Sequence, residues 1–538
     1  MQGVKWLAIV VLNTRIFQRI YTVTFWMSKV NQTKILNDET LTSKLVVKGF
    51  WLYLFTIFIA PAGYLTRFMI SYQFDPGSVG LFYSVISFIL LISVYNDLGL
   101  TQAMAYFLPK YWIKKKYDEY VTTIAITFVV QLTTWVLFSL LLYFGFADWL
   151  AIHHFGDPAA GPIMRYFIWY FLGINLFQII NTAVSAFQDT FSQKIMDFAR
   201  SWWVVVFTFI FFLLGSIDIS HYVISWLAGL FIGLFISLVI YFKKYGWTLR
   251  LGKIVYKKKH MAEYLPYTLW TFLAMNSGRI LGQVDQQMVV NMITTEAAGF
   301  YSNYIALYNT YTLPFTPLLM FMFPLVAELV VKNKHGKLTL LQNFMYTYLW
   351  LLALCFGAFI ALWGPEISYI FLWEKFVYSG QLLSIGWWFV VTSVITSIGF
   401  NILAWLGMMK QRVWILVWSV VINIVMNYLL IPIFALPWVI FSTIIGQAFL
   451  CTASTYFVHK KNPIIVDRKF IIKNISLLTV LTVITYFVKS SLKLLSLWRL
   501  SLLFYLWLIW IIYCIPLWLI NIKRVKELYK QVKYEFLK

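Results

Sequence analysis

Long apolar segments, repeated from one end of the chain to the other, decide what this sequence can fold into. A helix that crosses a bilayer needs ~20 mostly apolar residues. Fourteen such segments are found, at about 49–73, 79–107, 119–146, 161–188, 198–216, 219–242, 262–292, 297–327, 338–363, 381–408, 410–432, 435–458, 469–488 and 497–520. The runs are long and do not alternate apolar with polar residues, which excludes a membrane β-barrel. Residues are 61% hydrophobic and only 12% charged, too little polar surface to cover a water-facing core. Soluble enzymes, nucleic-acid readers and disordered scaffolds are excluded. The sequence predicts an all-α integral membrane protein.

The formal net charge is +23, from 43 Lys and Arg against 20 Asp and Glu. In a soluble chain this balance would point to nucleic acid; here its distribution decides. Basic residues gather in the N-terminal arm, the even-numbered joints and the tail, whereas the odd-numbered joints hold only Lys375, Lys489 and Lys493. The positive-inside rule then places both termini in the cytoplasm, in a multi-pass protein of the cell membrane. The same residues attract anionic membrane lipids, and no nucleic-acid partner is expected. The expected organisation is a cytoplasmic or interfacial arm (1–48), an N-lobe of spans 1–6 (49–242), a basic linker (243–261), a C-lobe of spans 7–12 (262–458), two appended spans (459–520) and a basic tail (521–538). Within the arm, 4–27 reads as an interfacial helix rather than a fifteenth span, because Arg15 and Arg19 lie one turn apart in its middle. Cys355, Cys451 and Cys514 stand singly, and no GxxxxGK[ST] loop occurs. A disulfide framework, a CxxC metal site and an ATP-driven pump are therefore excluded.

An internal repeat is visible. Val79-Gly80-Leu81-Phe82-Tyr83-Ser84 opens span 2 and Ala298-Gly299-Phe300-Tyr301-Ser302 opens span 8, and the numbers of the two glycines differ by 219. Asn181 and Asn401, before matching joints, are 220 apart. Offsets this close suggest two six-helix lobes in parallel orientation, with spans 13 and 14 appended. Phe74-Asp75-Pro76-Gly77-Ser78-Val79-Gly80-Leu81-Phe82-Tyr83, then Asn96-Asp97-Leu98-Gly99-Leu100, resembles the opening of polysaccharide flippases in the multidrug/oligosaccharidyl-lipid/polysaccharide exporter superfamily. Ala298-Gly299-Phe300-Tyr301 with the Pro314/Pro317/Pro324 helix, and the run from Asn423 to Pro432, resemble its second half. The resemblance covers about 49–520. It implies a secondary transporter, not an enzyme, that flips a lipid-linked oligosaccharide by alternating access. Spans 13 and 14 would shelter the lipid tail, and a polysaccharide polymerase and glycosyltransferases would be partners.

Ionisable groups at bilayer depth are costly and by default mark function or a wet cavity. Arg67, Arg279 and Arg165 are the basic candidates for a path taken by a diphosphate headgroup, since guanidinium matches phosphate oxygens bidentately. Snorkelling to the interface is the plainer reading of Arg165. Asp97 either faces the cavity or caps a broken helix. Asp285 follows Arg279 by six residues, so the two do not share a helix face cleanly. The family resemblance implies that Asp285 helps hold a coupling cation with partners from spans 11 and 12, here Asn423, Asn427, Val439 and Thr443. No cofactor or further metal is expected beyond this Na+ or H+ coupling; hydrogen bonding across helices is the plainer role of the asparagines. Asp189, Asp197 and Arg200 flank a joint and read as solvated, and Trp149 and Trp373 read as interfacial belt residues. Two other functions are open. One is a multidrug or cation exporter of the same superfamily, which the appended spans and inward arginines disfavour. The other is a membrane polymerase or ligase of lipid-linked sugars, for which His153, His154, Asp157, Glu366 and Glu374 are the exposed acid/base candidates.

Overall fold

Inside hydrocarbon every backbone N–H and C=O must be satisfied within its own segment, which leaves these apolar runs no alternative to helix. The computed structural model describes residues 61–187, 189–216, 218–255, 258–315, 335–465, 467–491 and 499–536, with 55, 58, 59 and 319 besides. The segment 4–27, Pro317 and Pro324 lie outside the described residues.

Each of the fourteen apolar segments carries helix, and there is no strand among the described residues. In chain order, α1 covers 61–73, α2 Pro76–Asp97, α3 Leu100–Ile113, α4 Tyr117–Leu141, α5 Ala147–His153, α6 Ala160–Ser185, α7 Thr190–Leu213 and α8 Ile219–Tyr245. The second series runs α9 Lys258–Met292, α10 Thr295–Thr312, α11 His335–Phe344, α12 Trp350–Leu372, α13 Val377–Ile385, α14 Trp387–Trp405, α15 Met409–Phe434, α16 Leu436–Lys461, α17 Arg468–Ser491 and α18 Arg499–Phe536. Among the described residues, 10 helices are long and apolar enough to cross a membrane. Some predicted spans are broken. Span 2 divides where Leu98 and Gly99 take φ of 47° and 76°, and span 10 divides at Gly386 into α13 and α14.

Helices α6, α7 and α8 pack together, as do α12, α13, α14 and α16, while α2 lies against α9 and α10 of the second series. The seam between the two series is built on the repeat register. Asp75 caps α2 by accepting from the Ser78 amide, and Thr294 caps α10 by accepting from the Ala297 amide. Each cap and each capped amide is displaced by the same offset as the two glycines. Gly80 and Gly299 then meet directly: a Cβ on Gly80 would overlap the carbonyl oxygen of Thr295, and one on Gly299 that of Pro76. Glycine is required at both positions by closeness of approach, not by backbone angle.

The same end of the seam is closed from the side. Lys375 donates to the carbonyls of Tyr72, at 2.9 Å, and of Phe74. Trp373 packs on Tyr72 and Phe68, with ring centroids 4.4 and 5.2 Å apart. Arg499, at the start of α18, covers the other part of that indole at 3.2 Å from its centroid. Trp373 is therefore part of an inter-series contact rather than a lone belt residue. The appended helices are pinned to α12 by Lys489 and the buried Glu366, 2.9 Å apart.

Candidate functional site

The seam encloses two kinds of polar group. The first surrounds Asp285 on α9, which is 2% exposed. Its Oδ1 accepts from Asn427 Nδ2 at 2.6 Å, and its Oδ2 accepts from the hydroxyls of Thr443 at 2.7 Å and Tyr301 at 3.0 Å. Asn423 and Asn427 share one face of α15, as Val439 and Thr443 share one face of α16, because residues four apart stack on a helix. Asn423 is 3.5 Å from both Asn427 and Thr443, and the Thr443 hydroxyl lies 2.8 Å from the Val439 carbonyl. All five predicted residues are therefore brought together around the Asp285 carboxylate, and the structure adds Tyr301.

The donor count in this nest is short. Thr443 has one proton and faces two acceptors, Asp285 Oδ2 and the Val439 carbonyl. Asn427 Oδ1 is buried and has no hydrogen-bond partner. No basic side chain pairs with Asp285 among the described residues. An uncompensated carboxylate with a surplus of oxygen acceptors around it suits a hard monovalent cation or a proton. The described residues contain no cluster of His, Cys, Asp and Glu that would suit a transition metal.

The second group is Arg67 on α1. Its Nη1 donates to Asn303 Oδ1 at 2.7 Å and to Ser302 Oγ at 3.3 Å, both on α10, and its guanidinium stacks 3.5 Å from the centre of the Tyr83 ring. Every partner is neutral. Gln286, next to Asp285, mirrors this contact by donating to Ser84 Oγ at 2.8 Å. Arg67 and Gln286 are equivalent in the repeat register, as are Ser84 and Asn303. The seam is thus self-complementary in the manner of a two-fold interface, with arginine on one side and glutamine on the other.

The other predicted positions fall elsewhere. Arg165 is ion-paired with Asp148 beside it, away from the seam, with 30% of its side chain exposed. Asp97 accepts from the Thr101 amide at 3.0 Å, from the Thr101 hydroxyl and from Gln131 Nε2 at 2.7 Å, and so caps α3 across the break in span 2. Arg279 lies on α9, but its side chain is outside the described ones. Of the enzyme candidates, Glu366 is buried against Lys489, and His154 bonds Gln287 Oε1 across the seam at 3.0 Å. Those two are structural contacts rather than a paired acid and base.

Sequence reasoning passed over Tyr301, Ser302 and Asn303. A signal was available: the register aligns Tyr301 with Phe82, so a hydroxyl stands where the other half has a bare ring. It also misplaced Arg200, which is not at a solvated joint. Asp189 caps α7 through Ser192, so the helix starts at Thr190 and carries Arg200 about 15 Å inward.

A helical bundle with two seam-related halves and an unpaired charge in each can be compared with solved folds. The fold matches two solved transporters. A lipid II flippase, MurJ, in an inward closed conformation gives a TM-score of 0.66 at 14% identity, covering 88% of this chain and 100% of the other. A multidrug resistance transporter of the MATE family of the MOP superfamily, in an inward-facing conformation, gives 0.61 at 14% identity, covering 74% and 93%. A membrane protein of Methanocaldococcus jannaschii, itself uncharacterised, is 23% identical over 454 residues, 80% of this chain and 87% of the relative. The model of the polysaccharide biosynthesis protein family matches residues 45–330, just over half of the sequence. The chain belongs to that family.

Proposed function

We propose that this protein is a secondary transporter, not an enzyme, that flips a lipid-linked oligosaccharide across the cell membrane by alternating access, with the sugars carried on a polyprenyl diphosphate. The observation that carries this reading is Arg67. A guanidinium held at the seam of two halves by neutral partners alone is costly in hydrocarbon, and an anionic headgroup would offset that cost. The basic end of the bundle is cytoplasmic in this reading, so the Gly80–Gly299 contact closes the external side. The Asp285 nest supplies the drive: a Na+ ion or proton entering there would replace the donors that its oxygens lack. Asn427 would hold a metal ion after rotating its amide to present Oδ1, with Asn423, Thr443 and the Val439 carbonyl as further oxygen ligands. Polysaccharide polymerase and glycosyltransferases are the partners that such a substrate requires.

The test uses proteoliposomes loaded with a fluorescent polyprenyl-diphosphate disaccharide. Wild-type protein should move the sugar across the bilayer, and Arg67→Gln should abolish that movement while inserting normally. Wild-type flipping rates in Arg67→Gln would overturn the reading. Transport of organic cations with no movement of the lipid would favour a drug exporter instead.

A further inference from the structure

Arg200 is a second guanidinium inside the N-terminal half, and the site described above does not use it. Its depth can be read from its neighbours. It lies about 15 Å along α7 from the end of that helix, while Phe177 and Tyr170 lie about 12 and 22 Å from the adjoining end of α6. The guanidinium sits over the Phe177 ring, 5.3 Å from its centroid, and donates a hydrogen bond to the Tyr170 hydroxyl. The guanidinium therefore stays among the helices rather than extending to the end of α7. Gly233 on α8 makes the room, since a Cβ there would come 2.6 Å from the Arg200 Cα.

No carboxylate pairs with Arg200 among the described residues. Asp197, one turn away, is occupied by Lys194 at 3.4 Å and Asn181 at 3.3 Å. Arg200 Nε is buried and has no acceptor. A charge in this state needs an anion that the protein itself does not supply. Arg200 is also connected to Arg67. The Tyr83 ring under Arg67 packs 6.5 Å from Trp226, and Trp226 packs 5.7 Å from Tyr170. The Trp226 indole Nε1, between the two arginines, is likewise buried without a partner.

We propose that Arg67 and Arg200 mark the two ends of one binding surface, and that the transported saccharide is acidic: Arg67 takes the diphosphate and Arg200 takes a carboxylate or phosphate on the sugars. Trp226 Nε1–H lies between them as a donor for a sugar hydroxyl. This inference rests on the flippase reading and adds the substrate class to it. A neutral glycan would offer Arg200 hydroxyl acceptors but no countercharge, so it would gain less from that residue than an acidic one.

The test compares two ligands on the full chain in nanodiscs. One is a polyprenyl-diphosphate disaccharide ending in glucuronate, and the other is the same lipid ending in glucose. A charge-assisted hydrogen bond predicts that wild-type protein binds the glucuronate form at least about tenfold more tightly. Arg200→Gln should bring that ratio to about one, Arg200→Lys should keep part of it, and Arg67→Gln should weaken both ligands alike. Binding of the glucose form by Arg200→Gln shows that this variant is folded. A wild-type ratio near one, or an unchanged ratio in Arg200→Gln, overturns the acidic-saccharide assignment and leaves the flippase reading standing. Failure of wild-type protein to bind either lipid overturns both.

Discussion

The two halves share a register but not a charge. The offset that relates Gly80 to Gly299 also aligns Arg67 with Gln286, Thr66 with Asp285, and Arg200 with Ser419. It aligns Val204 and Thr208 with Asn423 and Asn427 as well. The first half has guanidinium where the second has an amide or a hydroxyl. The second half has a carboxylate and two amides where the first has threonines and valine. One backbone plan carries two electrostatic characters: guanidinium without a carboxylate partner in the first half, and a carboxylate among amides and hydroxyls in the second. Each unpaired charge is costly unless hydrogen bonds, water, a proton or a counterion compensate it.

The comparison is most severely tested by Asp285→Asn. One cation crossing 100 mV supplies about 2.3 kcal/mol, so removing its site should lower gradient-driven accumulation roughly 50-fold. Measured in vesicles with and without a Na+ or H+ gradient, the variant should show no response to either; a retained response would count against the nest. Adding Thr66→Asp to that variant should not restore the response, because Val204 and Thr208 cannot replace the two asparagines. Restoration would show that the halves are electrically interchangeable.

A smaller effect is expected at the seam. Gly80→Ala or Gly299→Ala forces a Cβ into facing backbone, at a cost of about 1–3 kcal/mol to the closed arrangement. A cysteine placed at Thr295 should then react with a water-soluble thiol reagent about tenfold faster, and equal rates would mean that the seam is not a gate.

The smallest effect concerns a joint outside the membrane, present in the first half alone. Burial pushes the Asp189 carboxyl up, but the Ser192 hydroxyl and amide, the Tyr245 hydroxyl and Lys244 outweigh it and hold the group below the ordinary aspartate value. A depressed folded-state value contributes stability above the unfolded value and loses it as pH falls through the folded one. Asp189→Asn should therefore be less stable by no more than about 1 kcal/mol at neutral pH. The melting difference from wild type should close in acid; a difference that widens in acid would reverse the assignment. Met408, at the matching position of α15, makes no side-chain cap and offers no such dependence.

The spans were legible because hydrocarbon permits so few backbone solutions, and the paired glycines revealed the repeat, though not that they meet across a seam. The partners of Asp285 on α15 and α16 were legible from four-residue spacing and the family resemblance together. What escaped reading was local. An aromatic-rich chain hides one useful hydroxyl, Tyr301, among many packing rings. The polar residues Ser192, Gln193 and Asp197 look like a loop in hydropathy, although they form the first turns of a capped helix, and this concealed the depth of Arg200.

The Gly80–Gly299 contact has a consequence for how often such a seam can be parted. The hydrogens on the glycine Cα atoms face the carbonyl oxygens of Thr295 and Pro76, and contacts of this type are worth about 0.5–1 kcal/mol each. No side chain has to be unthreaded and no ion pair has to be rehydrated at that point. The fit is exclusive in shape yet weak in energy, like a latch that registers on every stroke without gripping.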